Sequence, residues 1–184
     1  MERIIKSMQA KYLLPSLDLV EEVFAKYKGV QEGKAVRGLA MEIRAKKYYI
    51  PKLELIMVNE RDEIIGYAMF SRFHIEGRYE NELLMLTPVA VKTELQRRHI
   101  SKELLEYGFE KARGMGFKAV LVEGNPANYN PRGFEPSYMH GITPCPKIKL
   151  PRPECLMIKE LVPGALKEIR GVVDYSFYES LSEE

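Results

Sequence analysis

The chain has 184 residues, 46% of them apolar and 29% charged, as expected for one soluble globular domain. Its 28 basic and 26 acidic side chains leave a net charge of only +2. Nucleic-acid-binding domains usually carry a strongly basic face, so this balance argues against a nucleic acid partner. Two small basic clusters suit a compact anion better than a duplex: Arg97, Arg98, His99 and Lys102, and then Lys147, Lys149 and Arg152.

Cysteine content and hydropathy favour a reduced compartment and no membrane contact. Cys145 and Cys155 are too few for a disulfide framework, and two free thiols are favoured over one disulfide between them. No apolar run approaches the roughly 20 residues that cross a bilayer, and the first residues do not resemble a signal segment. We therefore expect a cytoplasmic protein, and we assign no metal ligands.

The first third of the chain predicts one strand and two helices. Residues 3–8 form a short mixed run typical of a strand. Ser16 is predicted to cap the first helix and Gly29 to end it, because the apolar residues between them recur at helical spacing. A second helix is predicted over residues 34–46.

The next segment predicts a hairpin and then the central strand. The apolar runs 53–58 and 64–73 flank a polar turn. Residues 83–91 form a third apolar run, which contains Pro88. Because proline cannot donate to a ladder, it indicates either a bulge or an edge strand.

After that strand, a polar loop over residues 92–98 leads into the most clearly amphipathic helix of the chain, which Gly114 and Gly116 close. Further strands are predicted over residues 117–122 and 156–162. The order of elements indicates an α/β fold with a mixed sheet. The tail, residues 163–184, has no clear period and is expected to pack on or near the domain.

The loop and the strand before it suggest a place for an extended anionic ligand. The first amides of a helix lack intrahelical partners and lie at the positive end of its dipole. A pyrophosphate could therefore bind the backbone of residues 98–102, with charge from Arg97 and Arg98. The alternative is an ordinary helix start with solvated arginines. A bulge at Pro88 would also free strand amides and carbonyls for a ligand, unless the strand is merely irregular.

Two segments carry a family resemblance. Val89-Ala90-Val91 with Gln96-Arg97-Arg98-His99-Ile100-Ser101 resembles the acetyl-coenzyme A motif of the GCN5-related N-acetyltransferases (GNAT), Gln/Arg-x-x-Gly-x-Gly/Ala. The turn from Tyr129 to Phe134 resembles the Tyr-x-x-x-Gly-Phe turn of that family. The wider spacing, with Pro163-Gly164-Ala165-Leu166 in the tail, is most similar to the YhbS-like branch.

The resemblance implies a GNAT-like domain over residues 1–162. Its mixed, mostly antiparallel central sheet would contain a splayed pair of parallel strands, with helices on both faces. The implied enzyme is an N-acetyltransferase that uses acetyl-CoA as co-substrate. It would transfer the acetyl group directly to an amine of an unknown small-molecule or peptide acceptor, as a monomer or homodimer.

The resemblance also implies roles for individual residues. The pantetheine arm would pair with Val89, Ala90 and Val91, one of whose amides would polarise the thioester carbonyl. Asn125 would contact the pantetheine side. The pyrophosphate would bind the loop and helix start, which consist of Arg97, Arg98, His99, Ile100, Ser101 and Lys102.

Proton transfers need an acid and a base. Tyr129 is in register with the tyrosine that protonates the departing thiolate, and a phenol stays protonated at neutral pH. Glu82, just before the central strand, is the first candidate base, followed by Glu80 and His74. Each of these can also be an ordinary surface or packing residue.

The motif departs from the family pattern at two positions, where His99 and Ser101 stand in place of Gly and Gly/Ala. We expect His99 to lie in the first turn of the helix, where its side chain points away and the amides stay available. The departures also motivate an alternative function, a CoA-binding sensor or interaction module with little or no turnover. A small nucleic-acid-binding domain is the third alternative.

Overall fold

The computed structural model of the chain describes residues 2–181. Its strands and α-helices in that range are β1 (Ile4–Ser7), α1 (Leu13–Lys28), α2 (Val30–Ala45), β2 (Glu54–Val58), β3 (Ile64–Arg72), β4 (Leu83–Val91), α3 (Ile100–Gly114), β5 (Ala119–Glu123), α4 (Pro126–Tyr129), β6 (Glu135–Pro136), β7 (Ile142–Pro144), β8 (Leu156–Glu160) and β9 (Gly171–Val173).

Seven strands form one sheet in the order β1-β2-β3-β4-β5-β8-β6, and β7 pairs with β9 in a separate parallel ribbon. In the large sheet β4 and β5 are parallel. The pairs β1–β2, β2–β3, β5–β8 and β6–β8 are antiparallel. The predicted mixed, mostly antiparallel sheet with a parallel pair is confirmed.

The parallel ladder between β4 and β5 is short. It runs from Leu83 opposite Ala119 to Met85 opposite Leu121, whereas β4 continues to Val91. Most of β4 therefore extends beyond the ladder, as expected of a splayed pair.

The irregularity predicted at Pro88 lies inside the sheet. Pro88 follows a cis peptide bond, and β4 has β3 on one side and β5 on the other, so the edge alternative is wrong. Two backbone hydrogen bonds bracket the β3–β4 pair: Phe73 N–H to Leu83 O and Lys92 N–H to Ile65 O. These two hydrogen bonds are eight residues apart on the β3 side, from 65 to 73, but nine residues apart on the β4 side, from 83 to 92. The difference indicates one extra residue, and therefore a bulge, on the β4 side.

Helices cover both faces of the sheet at β3. Gly66 leaves room for α3, since a Cβ there would lie 2.6 Å from Ile100 Cγ2 and 2.8 Å from Leu104 Cδ1. The next residue, Tyr67, points to the opposite face, where its hydroxyl donates to Glu54, the carboxylate that binds Arg44 of α2. The predicted layer arrangement is therefore confirmed.

The helix boundaries differ from the predictions in two places. Ser16 does not cap α1, because the helix begins at Leu13. Ser16 is buried, and its hydroxyl donates to Leu13 O and accepts from Arg44 Nη2. The second helix begins at Val30, directly after Gly29, whose φ of 95° turns the chain between the two helices.

The chain forms two compact units. The first comprises the chain up to Ser71 together with Thr87–Lys111, and the second comprises Arg72–Leu86 together with the chain from Ala112 onward. The tail packs in the second unit, where Leu166, Ile169, Val173, Tyr175 and Tyr178 are buried. The last three residues of the predicted tail lie outside the described residues.

Cys145 and Cys155 are buried free thiols, as predicted. None of the helices in the described part of the chain is long and apolar enough to cross a membrane.

Candidate active site

The loop between β4 and α3 has an unusual backbone. Arg97 and His99 have φ values of 62° and 64°, in the left-handed region that side-chain-bearing residues seldom occupy. The helix begins one residue later, at Ile100. The expectation that His99 lies in the first helical turn is therefore wrong.

The left-handed backbone of His99 supports the family resemblance. His99 stands where the motif has its first glycine, and it adopts the backbone conformation that glycine supplies without strain. The His99 side chain is exposed, as are those of Arg97 and Arg98. The loop thus keeps the glycine-like path and adds exposed basic groups to it.

The start of α3 offers backbone donors. The first helical hydrogen bond runs from Glu103 N–H to His99 O at 3.0 Å. The amides of Ile100, Ser101 and Lys102 precede it, in the first turn of the helix. They lie at the positive end of the helix dipole, which favours an anion.

Arg3, directly before β1, fixes this helix start from outside the loop. Its Nη1 atom donates to Arg98 O at 2.9 Å and to Glu103 Oε1 at 2.8 Å. Sequence reasoning missed Arg3, because 95 residues separate it from Arg98.

The end of β4 is tied to the same loop. Lys92 N–H donates to Ile65 O in β3, so the groups of Val91 point to the other side of the strand. There Val91 O accepts a hydrogen bond from Gln96 Nε2 at 3.2 Å. Ala90 and Val91 are buried, while Val89 is half-buried. The pantetheine contacts predicted for these three residues remain predictions.

In the second unit, Asn125 and Tyr129 lie at the two ends of α4. Asn125 is the N-cap, and its Oδ1 accepts from Ala127 N–H at 3.0 Å. The turn after Tyr129 passes through Gly133, whose φ of 86° is left-handed, to the buried Phe134. This geometry matches the Tyr-x-x-x-Gly-Phe turn predicted from the sequence.

The Tyr129 ring lies close to Phe134 and Gly124. It packs edge-on against Phe134 with ring centroids 5.5 Å apart. Gly124 makes room for the ring, because a Cβ there would lie 2.6 Å from Tyr129 Cε2. Burial raises the pKa of the Tyr129 phenol above its usual value of 10, so the phenol is a protonated donor at neutral pH.

The three predicted bases have different surroundings. Glu82 precedes β4, its carboxylate lies 3.5 Å from Lys118 Nζ, and its carbonyl accepts from Lys118 N–H. It is therefore at the amino end of the parallel pair. His74 stacks on Phe177 with centroids 4.7 Å apart, and its Nδ1 accepts from Gly77 N–H. Glu80 lies in the turn before β4.

A further carboxylate was missed. Glu123 is the last residue of β5 and precedes the Gly124 turn that leads to Tyr129. It is exposed and accepts a hydrogen bond from the Tyr175 phenol. Its position at a strand end before a glycine was the available signal, since ligands of α/β sheets gather at the carboxyl ends of strands.

We expect His99→Gly to leave the free energy of unfolding unchanged or to raise it by up to about 1.5 kcal/mol. A left-handed residue with a side chain costs about 1–2 kcal/mol, while glycine adds about 0.5–1 kcal/mol of unfolded-state entropy. His99→Val should lower stability by about 1 kcal/mol or more, because a branched side chain tolerates this φ worst. Urea denaturation of both variants checks the order, and equal stabilities would contradict it.

Comparison with known proteins agrees with this geometry. The sequence profile of the acetyltransferase (GNAT) family matches residues 21–134. The uncharacterized N-acetyltransferase YhbS of Escherichia coli K12 is 26% identical over 124 residues, covering 67% of this chain and 71% of YhbS. The uncharacterized N-acetyltransferase YjhQ of the same strain is 33% identical over 87 residues, covering 47% of this chain and 48% of YjhQ.

Solved structures show the same fold. The crystal structure of Escherichia coli YhbS in complex with CoA superposes with a TM-score of 0.83 at 21% identity, over 95% of this chain and 90% of that one. A GNAT family acetyltransferase from Brucella melitensis in complex with acetyl-CoA gives a TM-score of 0.68 at 22% identity, over 96% and 98% of the chains. Because the family profile matches more than half of the residues of this chain, the chain belongs to the GNAT acetyltransferase family.

Proposed function

We propose that this chain is an N-acetyltransferase that takes acetyl-CoA as co-substrate and acetylates an amine of a small molecule or peptide. The observation that carries the proposal is the left-handed backbone of Arg97 and His99, because His99 takes a glycine-like conformation at the position of the motif's first glycine. The complexes of the fold relatives YhbS with CoA and the Brucella protein with acetyl-CoA support the choice of co-substrate.

In this proposal the pyrophosphate binds the amides of Ile100, Ser101 and Lys102. Charge comes from the exposed side chains of Arg97 and Arg98. Amides at a helix start bind phosphates through both hydrogen bonds and the helix dipole. The pantetheine arm lies along Val89, Ala90 and Val91, and Asn125 contributes at the start of α4.

The reaction is a single displacement. The amine nitrogen attacks the thioester carbonyl, the C–N bond forms, and the C–S bond breaks. A strand amide among Val89, Ala90 and Val91 stabilises the negative charge on the carbonyl oxygen. The amine loses its proton to a base, and Tyr129 donates its phenolic proton to the departing sulfur.

Glu82 and Glu123 are the two candidate bases that we carry forward. Glu123 ends β5 close in sequence to Tyr129, whereas Glu82 is paired with Lys118 at the amino end of the parallel strands. We therefore expect Glu123→Gln to lower kcat about 10- to 100-fold, with a loss of the acidic limb of the pH profile. The kcat of Glu82→Gln should stay within about twofold of the wild-type value. A large loss of kcat in Glu82→Gln, with little loss in Glu123→Gln, would assign the base to Glu82.

The activity itself is tested with acetyl-CoA and a broad panel of amines, including amino acids, polyamines and peptide N-termini. Thiol release is followed together with mass spectrometry of the products. We expect at least one amine to accelerate thiol release and to gain an acetyl group. Thiol release that no amine accelerates, without an acetylated product, would contradict the proposal.

A CoA-binding module without turnover is the second candidate. His99 and Ser101 favour it, since both depart from the family pattern and His99 also has a strained backbone. Tight CoA binding without transfer to any amine would select it. Under either function the free thiols of Cys145 and Cys155 favour the cytoplasm as the compartment.

A further inference from the structure

The turn between α1 and α2 is connected to the proposed pyrophosphate loop. Tyr27 lies in the last turn of α1, just before Gly29, and is 59% exposed. Its hydroxyl donates to Gln96 Oε1 at 2.9 Å, although 69 residues separate the two in sequence. An exposed tyrosine with a specific long-range hydrogen bond calls for a reason beyond core packing.

Gln96 continues the connection to β4. Its Nε2 donates to Val91 O at 3.2 Å, and a carbonyl can only accept, so the orientation of the amide is fixed. Oε1 is therefore the atom left to accept from the Tyr27 hydroxyl. One side chain thus joins the end of α1 to the end of β4.

The connection enters the loop at a sensitive place. Gln96 directly precedes Arg97, and both Arg97 and His99 have left-handed backbones. Such conformations persist only where surrounding contacts hold them. Arg3 holds the helix end of the loop through Arg98 O, and the Tyr27–Gln96 pair holds its strand end.

We propose that Tyr27 is a positioning residue for cofactor binding, which acts through Gln96 to keep the loop over residues 97–102 in its anion-binding conformation. The inference rests on the proposed function, since CoA is the ligand that the loop would bind. It also means that the conformations of the α1–α2 turn and of the cofactor loop are coupled through the Tyr27–Gln96 hydrogen bond. Ligand binding at the loop should therefore order that turn.

The first test is Tyr27→Phe, which removes the hydroxyl and keeps the ring. The dissociation constant for CoA, measured by calorimetry, should rise about three- to tenfold, the range expected for one lost hydrogen bond. The KM for acetyl-CoA should rise by the same factor while kcat stays unchanged. The matched control is Tyr107→Phe on the exposed side of α3, which should leave both constants unchanged.

The second test is a double-mutant cycle with Gln96→Leu. If Tyr27 acts through Gln96, Tyr27→Phe has no further effect on CoA affinity in the Gln96→Leu background. Additive losses would overturn the inference, as would unchanged CoA binding by Tyr27→Phe alone. If the wild-type protein fails to bind CoA, the proposed function falls and this inference falls with it. If the wild-type protein binds CoA and only the predicted effect of Tyr27→Phe is absent, the inference is wrong and the proposed function is unaffected.

Discussion

Tyr129→Phe is expected to lower kcat about 100-fold while the KM for acetyl-CoA changes less than about twofold. The ring contacts with Phe134 and the space left by Gly124 are the same for phenylalanine. Only the donor is lost, so the departing thiolate must leave without a proton from Tyr129. General acids typically contribute 10²- to 10⁴-fold, which places this among the largest expected effects on activity.

The pH profile separates loss of the acid from loss of packing. Burial raises the pKa of Tyr129 above 10, and the protonated phenol is the active form. Activity of the wild type should therefore persist at neutral pH and fall as pH rises through that pKa, after correction for spontaneous thioester hydrolysis. Tyr129→Phe should lack this alkaline fall. A variant that keeps both the rate and the alkaline limb would remove Tyr129 from the mechanism.

Arg44→Met is expected to lower the free energy of unfolding by about 3–5 kcal/mol, the usual loss when one partner of a buried ion pair is removed. Glu54 is fully buried, and Arg44 binds its Oε1 through Nε at 2.8 Å and Nη2 at 2.6 Å. The hydroxyls of Tyr49 and Tyr67 also donate to this carboxylate. Without the guanidinium, a buried negative charge would keep only neutral partners.

The matched control is Arg37→Met, at the other arginine of α2. Arg37 pairs with the exposed Asp18 and the half-buried Glu21, and surface pairs contribute at most about 1 kcal/mol. Chemical denaturation of both variants measures the difference. Equal losses would show that the buried pair is no more important than the exposed one. In a double variant with Glu54→Leu, part of the Arg44→Met loss should return, because the unpaired charge is gone.

Local patterns predicted the central elements well. The apolar run 83–91 became β4 with the predicted bounds. The apolar face of α3 and the glycines at its end predicted that helix, which runs from Ile100 to Gly114. Both signals depend on nearby residues and on the burial of one face or one run, which single sequences display directly.

Errors arose where distant residues decide the local structure. Ser16 has the chemistry of a cap, but its hydroxyl bonds inside α1 and accepts from Arg44 of α2. His99 was placed in a helical turn because histidine disfavours a positive φ, yet the loop path required that φ. In both cases contacts or chain geometry beyond the local pattern outweighed propensity.

The same limit applies to the candidate site. Motif spacing predicted the loop, the Tyr129 turn and the Asn125 position. It could not predict Arg3, which reaches the loop from 95 residues away, or Tyr27, which reaches it from 69 residues away. Hydrogen bonds between distant segments leave no periodic trace in one sequence.

Calorimetric titration with CoA and with pantetheine tests the central claim most directly, because pantetheine lacks the nucleotide half of CoA, which includes the pyrophosphate. We predict that CoA binds one site per chain and that pantetheine binds at least roughly tenfold more weakly, since several charge-assisted hydrogen bonds to the loop are lost. Equal affinities for the two ligands, or no binding of CoA, would contradict the assignment of this loop to the pyrophosphate.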